Sequence, residues 1–347
     1  MFALIGFFLP ILFNVHTVSA APCPADPTGV EDSTAAFAKC LAAHPNGELF
    51  IPAGHYKISG TITMTRNQNL TGEGSRASVL KCESTTSACI VAADNSGGVN
   101  NYSVSNIQDL GIEGPGPGTS SIGIFLGGDP SGKISSKQAF GDSVNLVGVR
   151  VARFNHGVEW GNNAYLNKIE RSLILENDVA LYVPAALHNS GEAIGIADSA
   201  IFNNKQNGIE DHGNFEWMIQ STSFDYNNTA IQFYGATIHA INCHFEQERA
   251  QVFFQPSGFA TLSIRDSEIL IQSPAGSDKY ILSTWPQSLN LIVDNVSIWS
   301  NHAVSYFMRM QGSISGSVTN LYGNGNKKIG AFSDDPQRPS LRPNEAF

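Results

Sequence analysis

Charge is scarce in this 347-residue chain: only 14% of residues are Asp, Glu, Lys or Arg, and 30 acids outnumber 20 Lys and Arg, for a net charge of -10. A surface poor in basic groups excludes nucleic acid and anionic membranes as expected partners, because both are recognised by clustered Lys and Arg. It also disfavours a strongly anionic polysaccharide unless a divalent cation bridges the two. Beyond residue 20 there is no long apolar run, so no later segment is expected to cross a bilayer. Amphipathic helical periodicity is missing as well, which removes a helical bundle or helical repeat as the fold.

One apolar run stands at the start. Phe2 to Phe13 is followed by Val18-Ser19-Ala20 before Ala21-Pro22. A run this short, ending in small residues, reads as a secretory signal over residues 1–20, although a basic residue near Met1 is lacking. The mature chain is expected to be secreted, extracellular or periplasmic.

Repetition dominates the rest of the chain. Ile169-Glu-Arg-Ser-Leu-Ile174, Ile196-Ala-Asp-Ser-Ala-Ile201, Ile219-Gln-Ser-Thr-Ser-Phe224, Ala240-Ile-Asn-Cys-His-Phe245 and Ile264-Arg-Asp-Ser-Glu-Ile269 share one frame. It extends back to Leu146–Val151 and Ile107–Ile112, and forward, less cleanly, to Ile292–Ile298. The units recur about every 21 to 28 residues, a solenoid period. Apolar residues alternate within each unit, as in a strand, and a second short strand follows, as in Gly157–Trp160, Ala180–Val183, Gly208–Asp211 and Ala230–Phe233. Asn177, Asn204 and Asn227 fall in the intervening turn, where Asn tolerates left-handed backbone. Two strands and an Asn corner per coil predict an all-β parallel β-helix over residues 21–322. Residues 323–347, rich in Asn, Lys, Asp and Pro, read as a poorly ordered tail.

Cysteine is sparse but placed. In an exported chain Cys23 with Cys40 would tie the N-terminal segment to a helix, and Cys82 with Cys89 would close a small loop; other pairings stay open. Cys243, inside a repeat unit, reads as a small buried core residue.

The segment before the repeats runs Asp32-Ser-Thr-Ala-Ala-Phe37, then Glu48-Leu-Phe-Ile-Pro-Ala-Gly-His-Tyr56, then Leu70-Thr-Gly-Glu-Gly74. Asp32 or Ser33 is expected to cap a short helix that buries Phe37 and Leu41 and covers the open solenoid end. This order resembles the N-terminus of the pectate-lyase-like superfamily of right-handed parallel β-helices, which includes polysaccharide lyases, glycoside hydrolases and tailspike depolymerases. The resemblance implies a carbohydrate substrate and a monomer or a homotrimer. The Asn-Thr-Asp, Gly-His-Gly and Arg-Ile-Lys strings of polygalacturonase-like members and the Trp-Ile-Asp-His string of calcium-dependent pectate lyases are missing, so the chemistry rests on other residues.

Alternation supplies candidates. With Phe224 and Phe245 inward, Asp225, His244 and Glu246 should point outward, and two carboxylates on adjacent coils would lie about 4.8 Å apart. Such a pair can split its pKa values and act as general acid and as base or nucleophile. Phe202 and Tyr226 are expected near that face as a platform for sugar rings. A rival set lies on the second strands: Glu159 and Glu210 two coils apart, Tyr182 between them and His212 at the strand end. Across a corner, Glu210 is expected to face Asp225 over a groove. No metal is required, but stacked carboxylates could take Ca²⁺.

Three functions fit. A glycoside hydrolase would use the carboxylates; a polysaccharide lyase would use His244 or His212 as base; a non-enzymic carbohydrate-binding protein would use the long coil face. The carboxylate pairs and the scarcity of Lys and Arg favour hydrolysis.

Overall fold

A computed structural model describes residues 23–94, 104–246, 252–271, 280–283, 288–300, 306–309 and 313–324. The expected signal segment, residues 1–20, and the tail past residue 324 lie outside the described residues. Strand pairing is parallel throughout the named strands, and the chain winds as a β-helix with one helix at its N-terminal end.

Each coil has three strands, not two. What reads as one apolar phrase is broken at its third residue by a single left-handed position: Asp109, Arg171, Asp198, Ser221, Asn242 and Asp266 all have φ between 49° and 55°. The phrase therefore turns a corner and contributes to two walls. On the first wall Ile107, Leu146, Ile169, Ile196, Ile219, Ala240 and Ile264 stack in one inward column. On the second wall the column is Ile112, Val151, Ile174, Ile201, Phe224, Phe245, Ile269 and Ile298. The column of the first wall continues through Val293 and not Ile292, because Ile264 pairs with Val293. Two adjacent apolar residues hide that register in the sequence. The third wall carries Ile124, Val158, Leu181, Ile209, Ile231 and Phe254 inward. Nearly every one of these side chains is fully buried, each stabilising the coil by about 1.5–3 kcal/mol.

Two polar ladders hold the corners. Ser172 Oγ donates to Glu170 O at 2.8 Å and Ser199 Oγ to Ala197 O at 2.7 Å, each reaching back across its left-handed residue. Ser199 Oγ also accepts the Ser172 N–H at 3.1 Å, linking one coil to the next. Cys243 occupies this ladder position: its Sγ contacts Ile241 O at 3.4 Å and its N–H donates to Ser267 Oγ at 3.0 Å. Burial pushes its thiol up to about 11, and the side chain is buried as expected of a core residue.

The second corner holds the Asn stack. Asn177, Asn204 and Asn227 are fully buried, but the left-handed residues are their predecessors Glu176, Asn203 and Tyr226. The Asn side chains serve instead as rungs. Asn177 N–H donates to Asn204 Oδ1 at 3.0 Å, and Asn204 Nδ2 donates to Asn227 Oδ1 at 2.8 Å.

The helix Thr34–Ala43 closes the N-terminal end with Phe37 and Leu41 in the core. Ser33 is its N-cap residue but makes no side-chain cap bond; Asp32, one residue earlier, accepts the Thr34 N–H and the Ser59 N–H at its Oδ1, each at 3.1 Å. Disulfides join Cys23 to Cys40 and Cys82 to Cys89. The loop over residues 127–141 folds onto the outer face of the third wall, where Ala139 packs with Val91 and Phe125 in a small second core. At the far end the strand Ser313–Asn324 continues the first and second walls, reaching two residues past the expected limit of the domain.

Candidate functional site

Short strands between two tight corners hold the outward side chains of the second wall rigidly. Ser223–Asp225 pairs with His244–Glu246, which places Asp225 directly beside Glu246 and Ser223 beside His244. Carboxylate oxygens of Asp225 and Glu246 and a ring nitrogen of His244 lie within 4.8 Å of one another, all half-buried. Ser223 Oγ hydrogen-bonds the Asp225 carboxyl at 2.9 and 3.0 Å. Burial pushes the Asp225 carboxyl above the usual range; Glu246 adds to that, while Ser223 and His244 oppose it.

His244 bridges carboxylates. Its Nε2 lies 3.3 Å from Glu246 Oε2 and its Nδ1 3.1 Å from Glu268 Oε2. Both ring nitrogens of His244 therefore face carboxylate oxygens, one on its own strand and one on the next coil. Tyr226, exposed at the adjoining corner, brings its hydroxyl to 3.5 Å from Glu246 Oε1. The negative charge of Glu246 raises the pKa of that hydroxyl, so it stays a donor.

Around these groups the outward column of the second wall is apolar. Phe202 pairs with Asp225 one coil before, Leu270 with Glu246 one coil after, and Trp299 with Leu270 one coil further. Phe202 is thus where the alternation put it. Glu268 and Trp299 were missed, although each sits at the phrase offset of His244 and Glu246 respectively.

The third wall gathers the rival set. Glu159, Tyr182 and Glu210 are consecutive in register. Glu159 Oε2 meets His156 Nδ1 at 2.6 Å, and Glu210 Oε1 meets His212 Nε2 at 2.9 Å. Asn207 Nδ2 donates to Glu210 Oε2 at 2.7 Å and to Gln232 Oε1 at 3.0 Å. His156 stacks on the Tyr182 ring at 3.9 Å and covers one face of it. Burial and the two flanking glutamates raise the pKa of its hydroxyl. Asp211, next to Glu210, points inward, fully buried, and accepts from Trp217 Nε1 at 2.8 Å and from the Phe215 N–H at 3.1 Å.

Glu210 and Asp225, expected to face each other over a groove, belong to different sheets. They point outward from different walls, with the corner of buried Asn204 and Asn227 between the two walls, and no hydrogen bond joins the clusters among the described residues. Among the described residues no Lys or Arg pairs with an acid of either cluster.

Residues 17–252 match the sequence profile of rhamnogalacturonase A/epimerase, pectate lyase-like proteins. The chain belongs to that family. Solved structures share the architecture at low identity. The enzymatically active domain of tailspike protein 4 of bacteriophage CBA120 superposes with a TM-score of 0.67 at 16% identity, over 88% of this chain and 44% of that one. DFA-IIIase from Arthrobacter chlorophenolicus A6, in complex with DFA-III, gives 0.63 at 12% identity over 91% and 85%. The gp42 tailspike of Acinetobacter phage vb_AbaP_AS12 gives 0.59 at 11% over 88% and 62%. The chain spans under half the length of the first tailspike. No curated protein matches it in sequence. These likenesses establish the fold.

Proposed function

We propose that the chain is a secreted carbohydrate-active enzyme, a glycoside hydrolase that cleaves a polysaccharide at the second wall. One observation carries the reading: Asp225, its pKa raised by burial, stands beside the carboxylate of Glu246 within 4.8 Å. Retaining glycosidases hold their two carboxyls about 5–5.5 Å apart, and inverting ones about 6.5–9.5 Å. The spacing supports retention. Asp225, protonated, donates to the glycosidic oxygen. Glu246, steered by His244 and Tyr226, attacks the anomeric carbon and forms a glycosyl-enzyme. Asp225, now ionised, takes a proton from the water that releases the sugar, restoring both groups.

Elimination on this wall is disfavoured because no Arg or Lys among the described residues pairs with these acids to stand ready for a uronate carboxylate. Likeness to an enzymatically active tailspike domain and to a DFA-IIIase supports a carbohydrate substrate. The two disulfides suit an exported protein. The test is Asp225→Asn and Glu246→Gln, each expected to remove turnover with the fold intact by circular dichroism; full activity in both would refute the site.

A second reading rests on the third wall. Glu159 and Glu210 lie two strands apart in register, about 9.5 Å, which suits inverting hydrolysis. Proton NMR of the first product decides: retained anomeric configuration supports Asp225 and Glu246, and inverted configuration supports Glu159 and Glu210.

A further inference from the structure

We infer that Trp299 is a remote sugar-binding residue that fixes how long a chain the enzyme needs, holding an uncharged glycan along the solenoid axis. The inference rests on the second-wall reading and specifies its substrate. Phe202, Asp225, Glu246, Leu270 and Trp299 form one outward column, each a register partner of the next. Successive positions are about 4.8 Å apart, so Trp299 stands roughly 10 Å beyond Glu246. Leu175, the position before Phe202, is buried, so the column opens to solvent from Phe202 onward.

Trp299 is 43% exposed and forms no ring pair among the described residues. The other tryptophans among the described residues, Trp160 and Trp217, are fully buried. Trp299, whose next register partner is Asn324, leaves its indole open beside Leu270 and offers its face to the C–H side of a sugar ring. Asp225 and Glu246 stand in the column and Glu268 beside it, with no Lys or Arg paired to any of them among the described residues. Uronates would be repelled there, whereas hydroxyls of a neutral sugar can donate to carboxylates. A short oligosaccharide engaging the carboxylates cannot reach Trp299. A longer one can.

The experiment uses the inactive Glu246→Gln protein, with and without Trp299→Phe. Tryptophan fluorescence is followed as neutral gluco-, galacto- and fructo-oligosaccharides of increasing length are added, with galacturonate oligomers as the charged series. A neutral series is expected to shift the emission only above a threshold length, and Trp299→Phe to abolish the shift. In active protein Trp299→Ala should raise KM about tenfold for chains above that length, leaving kcat and short substrates unchanged. Shifts that persist in Trp299→Phe, no shift with any neutral series, or tighter binding of galacturonates would each overturn the inference. The parent reading fails separately, if Asp225→Asn and Glu246→Gln stay active.

Discussion

Asp225 and Glu246 are register partners on adjacent parallel strands, and His244, two residues before Glu246, holds that glutamate through one ring nitrogen and Glu268 through the other. If that arrangement is catalytic, Asp225→Asn and Glu246→Gln should each lower kcat by at least about a hundredfold, the usual worth of general acid–base catalysis. Glu268→Gln, which leaves both reacting carboxyls in place, should lower kcat far less. Steady-state kinetics on one cleaved polysaccharide make the comparison.

The raised pKa of Asp225 fixes the sign of the pH dependence. As general acid it works protonated, so kcat should fall as pH rises through its folded pKa, which lies above that of an ordinary Asp. The folded state holds that proton more tightly than the unfolded chain, so the contribution of Asp225 to stability is complete at low pH and lost over the same rise. Asp225→Asn should therefore be more stable than the parent on the alkaline side. Thermal unfolding against pH measures the effect, and an unchanged profile would contradict it.

The Asn stack should be costly to interrupt. Asn204→Ala removes the acceptor of the buried Asn177 N–H and the donor to Asn227. Leaving a buried N–H without a partner costs about 1–3 kcal/mol. Urea unfolding should show a lower midpoint with kcat per folded molecule little changed, because the stack faces away from the outward columns.

Cys243 stands where neighbouring coils use Ser172, Ser199 and Ser267. Cys243→Ser should therefore cost about 1 kcal/mol or less, since a hydroxyl can also donate to Ile241 O and the backbone N–H bond to Ser267 is untouched. A bulkier Cys243→Leu should disrupt the corner. Native protein should resist thiol reagents until it unfolds.

Hydrolysis by this pair needs no metal. Asp225, His244 and Glu246 offer two carboxylates and an imidazole, whereas Ca²⁺ prefers six to eight oxygen ligands. Activity should survive chelation with EDTA; loss with EDTA and recovery with a divalent cation would make the triad a cation site instead.

The repeats made the solenoid legible, because stacking parallel strands demands the same apolar frame at every level. The bend inside each phrase was less visible, since its left-handed position is filled by Asp, Arg, Ser and Asn in turn; the regular Ser, Thr or Cys after it was the available sign. Outward columns followed from alternation, which is why Asp225, His244 and Glu246 could be named together. Alternation says nothing about the angle between walls. That angle decides how Glu210 and Asp225 stand across the corner, and the stacking of His156 on Tyr182 depends on a side chain one coil earlier that alternation does not place.

The most direct test of hydrolysis on the second wall is to incubate the protein with neutral and uronate-containing polysaccharides and follow reducing ends together with the ultraviolet absorbance of unsaturated uronates. Reducing ends from a neutral polymer, without absorbance, are predicted. Both signals rising together on a uronate polymer would establish elimination and contradict the account.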